Sequence, residues 1–190
     1  MNKIVRIIEL VTELEPFLGN VLNEIQMIKV EEFQGVATDG RTIRIGSSVL
    51  DKINVEQLTV VVLHELLHIV LLHSQNMLNR DPYRYNVATD IVVNDIIEIY
   101  DVNTVFIQNN WVTGIKEGIL NSNELSLLDL YDLIPEGRFE IDPNSPDYVE
   151  MTRVDPTANE FVSELVNNFL STNKTISNSL LAKRILEVYQ

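Results

Sequence analysis

Two histidines with a glutamate beside the first carry the clearest chemistry in this chain: His64, Glu65 and His68, in the run His-Glu-Leu-Leu-His. In an α-helix four residues turn about 400°, so the two imidazoles lie about 40° apart and one turn up. Both rings can then reach one divalent cation at about 2 Å. Glu65 is placed to take a proton from a water whose pKa the cation lowers to about 7. The chain holds only three histidines, so their meeting in the H-E-x-x-H zinc pattern is specific. The flanking run, Leu58 to Leu63 and Ile69 to Leu72, is apolar nearly all round. Charged groups in so apolar a helix need a partner, and a metal is one. The rival reading is a pair of core histidines hydrogen-bonded to Glu65 or to backbone.

A catalytic cation of this kind needs a third protein ligand and one position left for water. The chain has no cysteine, which excludes disulfides and thiolate ligands, so the third ligand must be His, Asp or Glu. His73 is nearest in sequence. On an unbroken helix it points about 140° away from His68 and about 180° from His64, and no Gly or Pro at 69–72 would break the helix. Asp90, on the next expected helix, is the preferred ligand, with His73 the alternative. Asn94 lies one turn beyond Asp90 on the same face, where it can accept a hydrogen bond from a ligand imidazole and orient it. The pattern is similar to that of thermolysin-like zinc peptidases, whose third ligand, a Glu, also comes from a following helix. Asp is shorter than Glu, and the small Ala88 and Thr89 let the helices pack closer. Tyr83, Tyr85, Tyr100, Arg80 and Arg84 are weaker candidates for polarising a carbonyl oxygen. Their bland reading is packing tyrosines and solvated arginines. Trp111 reads as a core anchor.

The elements that must position these groups follow from pattern and punctuation. A stripe of Ile4, Val5, Ile8 and Val11, with Leu10 at its margin, predicts an amphipathic first helix that Pro16 ends. A second helix is expected over 17–25. Phe33 to Thr38 and Thr42 to Ile45 flank Asp39-Gly40, which predicts a β-hairpin. Its edge strand could bind an extended peptide by β-addition. Asn54 is an N-cap candidate, with Gln57 placed for a capping box, for a buried helix over 55–74. Asp81-Pro82 precedes a helix over 83–99. Residues 100–123 read as loop, 124–133 as a short helix, and 157–170 and 176–189 as two closing amphipathic helices.

Composition sets the frame. The chain has 190 residues, 45% of them hydrophobic and 22% charged, with net charge −14. That fits a sizeable core, and such acidity repels phosphate backbones, so no nucleic-acid partner is expected. No basic-then-apolar leader and no uninterrupted membrane-length apolar run occur, so the expectation is no membrane association and a cytoplasmic location. Residues 135–156 contain four of the six prolines. The expected organisation is a domain over 1–135, an acidic Pro-rich connector over 136–156, and a helical extension over 157–190 packed on the same domain.

At this point the sequence resembles the inferred metallopeptidase domains that often precede a von Willebrand factor A-like domain in bacterial and phage proteins. The matching features are Ala37-Thr-Asp-Gly-Arg41, His64-Glu-Leu-Leu-His68 with His73, Arg80-Asp-Pro82, Asn86-Val-Ala-Thr-Asp90 with Val93-Asn94, and Leu128-Asp-Leu-Tyr131. The resemblance covers residues 1–135. It implies a zincin-like fold and a peptidase activity, and suggests that His73 matters to the site. No Asp-x-Ser-x-Ser pattern occurs, and too few residues remain for a von Willebrand domain. The expectation is therefore an α+β, zincin-like chain, mostly helical, with a central HExxH helix and a small hairpin or sheet. It would hydrolyse peptide bonds in a peptide or protein substrate with Zn2+ on His64, His68 and Asp90 and Glu65 as general base. The alternatives are a catalytically silent metal-binding regulator, or a structural phage or mobile-element protein.

Overall fold

The computed structural model describes residues 2–77, 80–100, 102, 114, 117–136, 153–172 and 175–189. Trp111 and residues 137–152 of the expected connector lie outside these residues. Helix α1 (Lys3–Leu14) is capped by Asn2, whose Oδ1 accepts from the Ile4 N–H at 3.0 Å. Its buried face differs from the expected stripe. Ile7 and Val11 are fully buried while Val5 is 47% exposed, because Ile4, Ile7, Ile8 and Val11 follow the 3.6-residue period and Val5 falls outside it. Pro16 opens α2 (Pro16–Glu24), where its fixed φ suits a first helical turn.

A three-stranded sheet follows, in the order β1-β3-β2. β2 (Val36–Thr38) and β3 (Thr42–Gly46) form the expected antiparallel hairpin, with Thr38 opposite Ile43. The Asp39 carboxylate closes the turn by accepting from the N–H groups of Arg41 (3.0 Å) and Thr42 (2.8 Å). Gly40 takes φ +91°, which glycine adopts without strain. β1 (Gln26–Val30) was not expected. It lies parallel to β3, from Gln26 opposite Thr42 to Val30 opposite Gly46, so its pairing is non-local, and its sequence lacks a clean period of two. The short helix α3 (Ser47–Lys52) was also unexpected.

The buried helix α4 (Val55–Val70) starts as predicted, with Asn54 Oδ1 accepting from the Gln57 N–H at 2.8 Å. It ends earlier than the expected residue 74. Helix α5 (Pro82–Ile99) is capped by Asp81, and α6 (Leu127–Leu133) by a Ser126–Asp129 capping box. Helices α7 (Ala158–Ser171) and α8 (Ser179–Tyr189) complete the described elements. β2, α1, α5 and α7 all pack against α4, and side chains from α1 through α8 join one hydrophobic cluster. Among the described residues, no helix is long and apolar enough to cross a membrane.

One buried charge ties the two ends together. Glu15, between α1 and α2, is fully buried. Its Oε2 accepts from the Ser177 N–H (2.9 Å), the Ser177 hydroxyl (2.7 Å) and the Asn178 N–H (3.2 Å). Asn178 in turn caps α8 through the Leu180 and Leu181 N–H groups and donates to the Ile96 carbonyl. Replacing Glu15 by Ala strips the buried donors of their acceptor, so Glu15→Ala is expected to cost about 3 kcal/mol in urea unfolding.

Candidate metal centre

The C-terminus of α4 shapes the site. Leu72 takes a left-handed conformation, φ +54°, which stops the helix without Gly or Pro. The Leu72 N–H bonds the Ile69 carbonyl and the His73 N–H bonds the His68 carbonyl, each at 3.0 Å. This pair of bonds is a Schellman motif, which sets the side chain two past the cap against the one at the start of the last turn. Here those two side chains are His73 and His68. The expectation that the helix runs unbroken through 69–72 is therefore corrected. Leu72 is 7% exposed, so burial of its side chain offsets the strain of a positive φ, about 1 to 3 kcal/mol.

His64, His68 and Asp90 converge, their ligand atoms all within 4.8 Å of one another. The two Nε2 atoms are 2.9 Å apart. Asp90 Oδ1 lies 3.5 Å from His64 Nε2 and 3.2 Å from His68 Nε2. Each member is steadied from behind. Asn94 Oδ1 meets His64 Nδ1 at 2.9 Å. An amide oxygen can only accept, so the His64 proton sits on Nδ1 and its Nε2 lone pair faces the triad. His73 Nδ1 meets His68 Nδ1 at 3.0 Å; a proton on His68 Nδ1 leaves its Nε2 lone pair facing the triad as well. Asn86, one turn before Asp90, donates to Asp90 Oδ2 at 3.3 Å and leaves Oδ1 to the histidines.

Three converging acceptor atoms repel one another unless positive charge sits between them. A proton relieves one such contact, whereas a divalent cation relieves all three. Two imidazole nitrogens and a carboxylate oxygen suit zinc, whose tetrahedral geometry at about 2.0–2.1 Å requires only a small widening of the nitrogen pair. The donor set thus fits the group. His73 approaches His68 at the nitrogen opposite the triad, so it stands behind His68 and outside the triad. His73→Phe is expected to weaken zinc binding about 10- to 100-fold in competition with a chromogenic chelator. Unchanged affinity would remove His73 from the site's machinery.

The electrostatics follow from burial and Asp90. Burial alone would raise the Asp90 carboxyl, but in the metal-free chain hydrogen bonds from the His64 and His68 rings, when these take up a second proton on Nε2, hold it well below the usual carboxylate range. Burial pulls His64 down, and Asp90 outweighs it, so the net shift is upward. For His68 burial wins and the shift is downward. His73 is pushed well down by burial, then by His68, which keeps it neutral. Glu65 is pushed up to about 7, by burial first and then by Asp90, against the pull of His64 and of a hydrogen bond from the Thr38 backbone.

Glu65 and the triad line a cavity of about 130 Å³ together with Thr38, Tyr85, Arg153 and Val154. Of the residues considered for polarising a carbonyl, Tyr85 lies on this cavity. Its buried hydroxyl has no hydrogen-bond partner, and burial pushes it up to about 12. Arg80 stacks over its ring at 5.6 Å. Tyr83 packs against the core, Tyr100 reaches toward Glu15 at 3.4 Å, and Arg84 is taken up by Tyr131 and Glu136. Sequence reasoning missed Asn86 as a support for Asp90, although its i, i+4 spacing signals it. It also missed Thr38, Arg153 and Val154, which reach the site only through tertiary packing.

Comparison with known families finds that the model described as "Putative metallopeptidase domain" matches residues 3–131. No curated protein matches the chain, and no solved structure does.

Proposed function

The chain belongs to the "Putative metallopeptidase domain" family, and on that premise we propose that it is a zinc-dependent peptidase of zincin-like fold acting on peptide or protein substrates. His64, His68 and Asp90 would hold the ion and Glu65 would act as general base. Residues 1–135 would be the catalytic domain, 136–156 its connector and 157–190 a packed extension, at work in the cytoplasm. The observation that carries the reading is a convergent His-His-Asp triad beside a carboxyl that burial raises to about 7. That value is the metal-free chain's; a cation on the triad favours the ionised carboxylate, which leaves Glu65 ready to accept a proton at neutral pH.

When bound, the ion would acidify a water and polarise the scissile carbonyl. Glu65, held by the Thr38 backbone, takes a proton from the attacking water and delivers it to the departing amine. Tyr85, with its hydroxyl unpaired, is placed to donate to the carbonyl oxygen as charge builds there. Asn94, His73 and Asn86 keep the three ligands oriented throughout.

A metal-holding protein without turnover is the second reading, favoured by the small size of the cavity. Metal analysis of the purified wild-type chain tests both readings at once. About one zinc per chain with hydrolysis of an unstructured protein supports the first. Stoichiometric zinc without hydrolysis supports the second. Absence of zinc at micromolar supply overturns both.

A further inference from the structure

We propose that the metal cleft is a binding site for an extended, cation-bearing peptide and that residues 153–155 of this chain occupy that site in cis. The inference rests on the peptidase reading for the fate of an incoming peptide, though not for the contact itself. Among the described residues β2 is an edge strand, with β3 on one side only. In an antiparallel ladder the N–H and C=O of every second residue point outward, and the Thr38 N–H is turned to Glu65. Val36 and Thr38 therefore present the outward groups of this edge. The Asp155 N–H donates to the Asp39 carbonyl at 2.8 Å, just beyond β2, while Arg153 and Val154 line the cavity that holds His64, Glu65 and His68. A segment of the chain thus runs past the triad along the edge that an added strand would use.

The segment is held firmly at one end. Arg41 donates to Thr157 Oγ1 at 2.6 Å and lies over the Phe161 ring at 4.6 Å. The Asp155 carboxylate accepts from the Thr157 N–H and hydroxyl at 2.7 and 2.6 Å. Val154 is 40% exposed. Charge agrees with the choice of occupant: Arg153 is brought to a cavity lined by Glu65 and Asp90 in a chain of net charge −14. Size agrees too. The cavity of about 130 Å³ is below the about 300–1,000 Å³ of a typical ligand cleft, so little room is left beside Arg153 and Val154. An incoming chain must displace Arg153 and Val154.

The test uses the full zinc-loaded chain and a fluorescein-labelled peptide of sequence Met-Thr-Arg-Val-Asp-Pro-Thr, followed by anisotropy. The double variant Arg153→Gly, Val154→Gly changes two exposed side chains and leaves the anchor at Thr157 intact. It is expected to bind the peptide at least about tenfold more tightly than wild type, since removing a competing bound state raises apparent affinity. A peptide with Glu in place of Arg should lose at least about tenfold. Hydrogen exchange on wild type should show a protected Asp155 amide that loses protection as peptide is added. Equal peptide affinity in wild type and double variant, or an Asp155 amide that stays unprotected, overturns the proposal. Tight binding to the double variant without cleavage supports it and counts against the peptidase reading alone. Equal cleavage rates of an unstructured protein by both chains overturn it and leave the peptidase reading standing.

Discussion

Glu65→Gln is expected to lower hydrolysis at least about a thousandfold while zinc stays bound. Loss of a positioned base costs about 100- to 10,000-fold, and here the same group also serves the leaving amine. The substitution is nearly isosteric, and the amide oxygen can still accept from the Thr38 backbone. Glu65 does not belong to the His-His-Asp cluster, so metal content should not change. The variant should also fold well. In the metal-free chain the carboxyl has a raised pKa of about 7. Such a group contributes stability at pH below its unfolded value and loses that contribution as pH rises through about 7. Metal-free Glu65→Gln should therefore gain in Tm over wild type between pH 5 and pH 8. A bound cation favours the ionised carboxylate and moves the acid limb of activity below 7. Full activity in a zinc-loaded Glu65→Gln chain would end the general-base assignment.

Asp90→Ala should weaken zinc binding by more than about a hundredfold, because the change removes a ligand and exceeds the loss typical of an outer support. The effect should be visible as stability. At zinc a thousandfold above its Kd, binding adds about 4 kcal/mol, and for a chain of this size that corresponds to roughly 10 °C in Tm. Chelation should remove this increment from wild type. Asp90→Ala should show no zinc-dependent rise over the same concentrations. A wild-type zinc response in Asp90→Ala would take Asp90 out of the ligand set.

What the sequence made legible was local. His64, Glu65 and His68 could be placed because helix geometry alone puts residues four apart on one face, and Asn54 marked where that helix begins. Asp90 and Asn94 could be paired by the same rule, and Asp39-Gly40 marked the turn. The family match over residues 3–131 agrees with the resemblance seen in those motifs. What stayed hidden was non-local or against type. β1 pairs in parallel across intervening chain, which no short window reveals. The end of α4 depends on a leucine with positive φ, a conformation that composition does not announce. Arg153 and Val154 meet the triad only after α7 docks. Glu15 carries no local signal of burial, and its distant donors explain it.

That carboxylate has a consequence for synthesis. Glu15 stands 162 residues ahead of the Ser177 donors that bond its Oε2. During translation the carboxyl meets the Tyr100 hydroxyl first and gains its donors from residues 177 and 178 only later. Closure around Glu15 becomes a late event, coupled to the arrival of residues 177 and 178, and it sets the final seating of α1 and α2 after a segment made 162 residues later.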